Sequence, residues 1–322
     1  MSRFSVRGRT LVFRFFIALA ATIPPQSDEP FYAEKTQPAK WLIAKQHDWM
    51  SRLPDELLVS SLSIPGTHDS CAYGSKVGIA GAFARTQWWS LEDQLKAGVR
   101  FLDIRCRQVQ DKFTIHHGQV YLGQDFAEVR NICESFLNEN PSECLVMNVQ
   151  REYKTVGDAN FGEVFASYIE GEHAKYWETQ MHNPKLGEAR GKILLLSRNN
   201  ELDERLSTKL RWSQVSIAND WNGPEFDAKW RGALDNMSLA RKPEEQGPWF
   251  LTFTSATSLP FKTPGTYATI LNERLFDWMG ANPHGPIGLT AIDYPGNELI
   301  DRIIQSNFEK KSPSGSHEES PR

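Results

Sequence analysis

Cysteine is scarce in this 322-residue chain, and none of the four forms a C-x-x-C pair. That excludes the common structural zinc ligand sets. Cys71, Cys106, Cys133 and Cys144 read instead as buried free thiols. A Cys71–Cys106 disulfide stays open, because pairing is a matter of geometry that spacing does not give. Basic excess is also missing. The chain has 36 Lys and Arg against 40 Asp and Glu, a formal charge of −4, so nucleic acid is a poor partner. Any anionic substrate must be held by local cations rather than by a global field. No G-x-S-x-G occurs, which removes the usual strand-to-helix serine nucleophile. Beyond residue 22 no run approaches the ~18 apolar residues of a membrane span. What remains is an ordinary globular composition, 40% hydrophobic and 24% charged, long enough for one large barrel or two smaller domains.

The ends differ from the middle. Residues 1–9 carry three arginines and no acid, followed by an apolar stretch that closes on Ala18-Leu19-Ala20-Ala21. Residues 1–21 resemble a secretory signal, although Arg14 interrupts the apolar run. An organellar leader shares these features. The expectation is an extracellular protein, with an intracellular, peripheral membrane protein as the alternative. Residues 24–40 are polar and proline-bearing, which makes 1–40 leader and linker. Residues 41–308 form the globular domain, and 309–322 are charged, Ser/Pro-rich and expected to be disordered. Asn236-Met237-Ser238 is a glycosylation sequon that matters only in a secreted chain.

Within the domain, strand-length apolar runs recur at Leu58–Ile64, Val99–Ile104, Phe113–His116, Cys144–Val149, Ile193–Leu196, Val215–Ala218, Phe250–Thr254 and Ile287–Ile292. Their Val, Ile, Leu and Phe content suits strands buried on both faces. Helical patterns lie between several of them. Ser90–Ala97 ends at Gly98, and Phe126–Asn138 keeps Phe126, Val129, Ile132, Cys133 and Phe136 on one face. Gly162–Tyr176, Tyr267–Met279 and Asn297–Ser306 read as three more helices. The pattern predicts an α/β fold, an irregular (β/α) barrel in a single domain. Chemistry in such barrels gathers at the C-terminal ends of the strands. His68, Asp69, Asp103, Arg105, His117, Arg198 and Asp293 are all expected at or just past such ends.

Two stretches, Ser63-Ile64-Pro65-Gly66-Thr67-His68-Asp69-Ser70 and Phe113-Thr114-Ile115-His116-His117-Gly118, carry histidine close to their ends. Phe101-Leu102-Asp103-Ile104-Arg105 lies between them. Two imidazoles titrate near neutrality and can serve as base and acid. An arginine presents a fork of donors matched to phosphate oxygens. That set suffices to cleave a phosphodiester with an internal hydroxyl as nucleophile and no metal. Each residue has a plainer reading. His68 would cap a turn, Asp69 a helix, and Asp103 with Arg105, on one face of a strand, would form a structural ion pair. Alternation sends His116 and His117 to opposite sides, so only one faces a site. His68, Asp69, Asp103 and His117 also make a conceivable divalent-metal set, which the fixed cation Arg105 argues against. No metal and no cofactor is expected.

Taken in order and spacing, these motifs resemble the bacterial-type phosphatidylinositol-specific phospholipases C. Asn140-Pro141-Ser142-Glu143-Cys144-Leu145-Val146-Met147 extends the likeness, as do Gly187–Leu196, Phe253-Thr254-Ser255 and Ile292-Asp293-Tyr294. The resemblance covers roughly residues 41 to 308 and implies a distorted, incompletely closed TIM-type barrel with calcium-independent cleavage. It implies His68 as general base, oriented by Asp293, and His117 as general acid, assisted by Asp69. Arg105 would bind phosphate with support from Asp103, and Arg198 would contact inositol hydroxyls. The products implied are diacylglycerol and inositol 1,2-cyclic phosphate. Two positions depart from the family. Gln150 stands where bacterial members carry lysine, and Asn219-Asp220-Trp221 replaces Asp-x-Tyr, so Gln150, Asn219 and Trp221 are expected to line the headgroup pocket, with phosphatidylinositol as the first substrate implied. A glycosylated phosphatidylinositol is the other substrate implied. Ile79, Phe83 and Phe261 are expected to dock a monomer on a phosphatidylinositol-containing membrane surface. The alternatives are a catalytically silent lipid-binding module and a metal-dependent glycerophospho- or sphingophosphodiesterase on a similar barrel.

Overall fold

In chain order the strands are β1 (Ser63–Ile64), β2 (Gly66–Thr67), β3 (Phe101–Val109), β4 (Lys112–His117), β5 (Val120–Asp125), β6 (Leu145–Arg151), β7 (Trp177–Glu178), β8 (Ile193–Ser197), β9 (Val215–Ala218), β10 (Trp249–Phe253) and β11 (Gly288–Ala291). This computed structural model describes residues 30–33, 37–73, 84–242, 248–258 and 261–308. The expected leader, the tail from 309, and Ile79 and Phe83 lie outside the described residues. Parallel ladders run β9–β10–β11–β1 on one side and β2–β3–β6–β8–β7 on the other. The two groups meet where Thr67 bridges Ile292. There the His68 amide donates to the Ile292 carbonyl and the Ile292 amide to the Gly66 carbonyl, both at 3.1 Å. Among the described residues no ladder joins β9 to β7 or β8. The fold is therefore the expected TIM-type barrel, left unclosed by hydrogen bonds at that seam.

Pro65-Gly66 explains how one chain serves both groups. β1 pairs with β11 and β2 with β3, so the backbone shifts sideways between them. At Gly66 it passes so close to the Thr290 carbonyl and the Phe101 side chain that a Cβ would collide with both. Only glycine fits so close an approach.

Several sequence expectations need correction. Only Ser63–Ile64 of the Leu58–Ile64 run is strand, because Val59–Ser61 closes a 3₁₀ turn. Phe113–His116 is not a barrel strand. It belongs to β4, which folds back antiparallel on β3 with Arg107 opposite Thr114 and Val109 opposite Lys112. The turn between them has no glycine, and Gln110 takes the positive φ of 56° itself. The sequon is also unusable in the folded chain. Asn236 is buried, and its Nδ2 donates to the Ser216 and Leu251 carbonyls and to Thr252 Oγ1.

The helices begin where capping chemistry places them. Ser90 accepts from the Asp93 amide at the start of Leu91–Lys96. Asp125 and Glu128 form a reciprocal capping box at Phe126–Glu139. Thr263 caps Pro264–Ala281 with proline at its first turn. Such caps contribute about 1 kcal/mol each. The Gly162–Tyr176 pattern splits into the helix Phe161–Ile169 and a 3₁₀ turn Gly171–Tyr176, with Gly171 at a φ of 67° between them. Phe113, Phe126, Phe161 and Phe165 are fully buried. Phe113 packs on Phe161 with ring centroids 4.4 Å apart, which seats the β3–β4 hairpin on the helices behind it. All four cysteines are free and buried, Cys71 and Cys106 included.

Candidate active site

β3 is nine residues long, so Asp103 and Arg105 lie within it rather than at its end. Their spacing of two places both on one face. The parallel register sets Asp103 beside Asn148 and Arg105 beside Gln150 on β6. Asn148 Nδ2 donates to Asp103 Oδ1 at 2.6 Å. Arg105 donates to Asp103 Oδ2 from Nε at 3.3 Å and from Nη2 at 3.1 Å. Burial pushes the Asp103 carboxyl up, but Arg105, His68, the Asp69 amide and Asn148 outweigh it and leave the pKa below the ordinary carboxylate value.

His68 and Asp69 follow β2 in a tight turn. Asp69 takes a φ of 43°, the left-handed region that costs a non-glycine residue about 1–2 kcal/mol. The turn aims the Asp69 amide at Asp103 Oδ2, 3.1 Å away. Thr86 and Gln87 secure it from behind by donating to the His68 carbonyl at 3.0 and 2.8 Å. The Asp69 carboxylate is buried. Its Oδ2 lies 3.6 Å from Arg105 Nε and 3.4 Å from His117 Nδ1. Burial raises its pKa, with His117, Arg105 and His68 opposing.

His68 is held at both nitrogens. Nδ1 lies 2.8 Å from Asp293 Oδ1, and Arg105 Nη2 donates to Nε2 at 2.7 Å. Because Nε2 accepts, the ring proton sits on Nδ1 and points at Asp293. Burial and the Arg105 cation lower the His68 pKa to about 3, so the imidazole is neutral at pH 7. Burial raises Asp293 well above the usual carboxylate range, with His117, Arg105 and Lys229 opposing.

His117 ends β4. Its Nδ1 lies 2.6 Å from the Ala84 carbonyl, and its ring stands perpendicular to His68 with centroids 6.1 Å apart. His116 is buried on the other side against Tyr121, as strand alternation requires. The hairpin correction therefore leaves the assignment of the two histidines to opposite faces intact.

These groups line one cleft of about 410 Å³ with Gln150, Arg198, Asn219, Trp221 and Asp293. That is within the usual range for a small-molecule site. Asp69 and Asp103 form the layer beneath the lining. Gln150 accepts from Arg198 Nη1 at 2.5 Å and donates to Glu152 at 3.0 Å. Arg198 also covers the Trp212 ring at 4.0 Å. Trp221 is exposed at the mouth. Phe261, 81% exposed, tips the Ser258–Lys262 turn, whose neighbour Thr257 hydrogen-bonds back to Trp221.

Glu152 and Asn148 were not anticipated from the sequence. Glu152 lines the cleft and accepts from the Gly118 amide at 2.8 Å. Strand alternation would have found both, since residues 148, 150 and 152 share one face of the run.

The chain was compared with known proteins. Residues 62–199 match the family model described as phosphatidylinositol-specific phospholipase C, X domain. A protein named 1-phosphatidylinositol phosphodiesterase from Listeria monocytogenes is 31% identical over 276 residues, which is 80% of this chain and 84% of that protein. One of the same name from Staphylococcus aureus is 25% identical over 292 residues, covering 81% of this chain and 94% of that protein. The solved phosphatidylinositol-specific phospholipase C from Listeria monocytogenes superposes with a TM-score of 0.72 at 30% identity, over 81% of this chain and 98% of that one.

Proposed function

The chain belongs to the phosphatidylinositol-specific phospholipase C family, and from that premise we propose that it cleaves phosphatidylinositol to diacylglycerol and inositol 1,2-cyclic phosphate without a metal. The observation that carries this reading is the placement of two imidazoles and one arginine, held from beneath by buried carboxylates, in a single cleft.

In the free protein Arg105 donates to the basic nitrogen of His68. A phosphate diester entering the cleft draws the guanidinium to its own oxygens, because an anionic oxygen attracts the cation more strongly than a neutral imidazole does and accepts two of its donors at once. Nε2 is then free to take the proton of the inositol 2-hydroxyl, while Asp293 holds the ring through Nδ1. The hydroxyl oxygen attacks phosphorus and closes the cyclic ester. His117, set beside Asp69, gives a proton to the diacylglycerol oxygen as that bond breaks. Arg105 supplies the cation that steadies the phosphoryl charge, in contact with both Asp69 and Asp103. A divalent ion bound to those carboxylates would have to displace it. Gln150, Arg198, Asn219 and Trp221 would hold the inositol ring, and exposed Trp221 and Phe261 would meet the membrane surface.

Product analysis tests the reading. Purified protein with phosphatidylinositol vesicles and excess chelator is expected to release diacylglycerol and inositol 1,2-cyclic phosphate. Release that needs an added divalent cation would point to a metal-dependent diesterase. Vesicle binding with no release would point to a silent lipid-binding module.

A further inference from the structure

The elements that flank Asp293 carry several buried polar atoms that the proposed chemistry does not use. Asp293 Oδ1 is engaged by His68, but Oδ2 is buried without a hydrogen-bond partner. Lys229 Nζ, Thr254 Oγ1 and Asn272 Oδ1 are buried without partners as well. Lys229 is 3% exposed, and buried lysines are rare unless paired.

The fold brings these atoms to one place. Helix Phe226–Ala240 packs on β9 and β10, and its Asn236 donates to Thr252 Oγ1. Lys229 precedes Asn236 by two turns on the same face, about 10 Å nearer the strand ends. Thr254 lies two residues after Thr252, just past the end of β10. Its amide donates to the Ala291 carbonyl at 3.1 Å, two residues before Asp293. From the next helix, Asn272 Nδ2 donates to the Asp293 carbonyl at 2.9 Å.

Resting on the activity proposed above, we propose that Lys229 is a positioning residue. Its buried ammonium acts through the polar shell around Asp293 to keep that carboxylate ionised and aimed at His68. Buried donors and acceptors must be satisfied, and bridging solvent within such a shell satisfies several at once. An ammonium offers three donors, and Asp293 Oδ2, Thr254 Oγ1 and Asn272 Oδ1 are three buried acceptors without partners. The charged groups facing the shell are Asp220 in the loop after β9, Lys229, and Asp293, with Arg105, Asp103 and His117 across the barrel mouth. Burial lowers Lys229 to about 8, with Asp220 and Asp293 opposing the drop, so it remains charged at neutral pH.

The test is a double-mutant cycle on the full chain with phosphatidylinositol vesicles. Lys229→Met keeps the volume and removes the charge. Alone it is expected to lower kcat/KM about 10-fold and to shift the acid limb of the pH profile upward, because Asp293 then protonates more readily. In the Asp293→Asn background the same substitution is expected to change kcat/KM by less than about twofold. Equal losses in both backgrounds, or no loss in either, would overturn the role. If Lys229→Met does not fold, Lys229→Gln carries the same test. A second readout needs no substrate. The proton on His68 Nδ1, followed by NMR in 15N-labelled protein, is expected to move upfield in the Lys229 variant, and an unchanged resonance would overturn the proposal. An unmutated protein that releases no inositol phosphate would sink the proposed activity while leaving this spectroscopic arm decisive for Lys229.

Discussion

Arg100, just before β3, and Arg105, in the middle of it, lie five residues apart, and the molecule uses them in opposite ways. Arg100, at the base of the barrel, is fully buried. It donates to Glu143 at 2.9 Å and to the carbonyls of Leu95, Val99 and His47 at 2.7, 2.9 and 2.6 Å, and its guanidinium covers Phe136. Arg105, at the mouth, bonds Asp103 and His68, and among the described residues its Nη1 has no hydrogen-bond partner. The first arginine has its capacity filled by the fold. The second is held firmly by its carboxylates yet keeps donors toward the cleft. Saturation marks a structural ion pair, and a rigidly held but incompletely bonded cation marks a place for a ligand.

The sharpest way to probe this contrast is to remove the histidines at the mouth. His68→Ala or His117→Ala is expected to lower kcat by about 10²–10⁴ with the melting temperature nearly unchanged, measured by vesicle assay and calorimetry. Near-normal turnover in either variant would remove that residue from the chemistry. At the base the expectation reverses. Arg100→Met leaves Glu143 buried without its partner and is expected to cost roughly 3–5 kcal/mol in denaturant unfolding. The rate per folded molecule should stay within about twofold of wild type, since the site is distant.

A smaller effect separates the two ends by pH. The native His68 pKa of about 3 lies below its ordinary value of 6.5. The stability this contributes is fully present above pH 6.5 and is lost as pH falls toward 3, because the unfolded chain takes the proton first. Between pH 7 and pH 4.5 the wild-type melting temperature is expected to fall roughly 5 °C further than that of His68→Gln. Parallel pH curves would mean that His68 is not held neutral.

Much of the mouth was legible because strand alternation is a strict rule. It put Asp103 with Arg105 and separated His116 from His117, and both hold in the structure. The same rule, applied to residues 148–152, would have given Asn148 and Glu152. What it does not give is the direction of a neighbouring strand. An apolar run of four residues reads alike in a parallel ring and in a hairpin, so β4 looks like a barrel strand in the sequence. The glycine-free turn at Gln110 offered no hairpin signal. Lys229 was illegible for another reason. A lysine in the first turn of a helix looks solvated until the position of Asp293, sixty-four residues on, is known.

The β3–β4 ribbon carries a last consequence. The cation and the proposed acid ride on one hairpin, and the pairing of β4 with β5 is irregular between Thr114 and His116. A pairing slip of one residue would turn every side chain of β4 to the opposite face. Here such a slip, in one direction, would replace His117 with His116. Phe113 and Ile115 are fully buried, so it is the core beneath the hairpin that decides which of the two histidines faces the cleft.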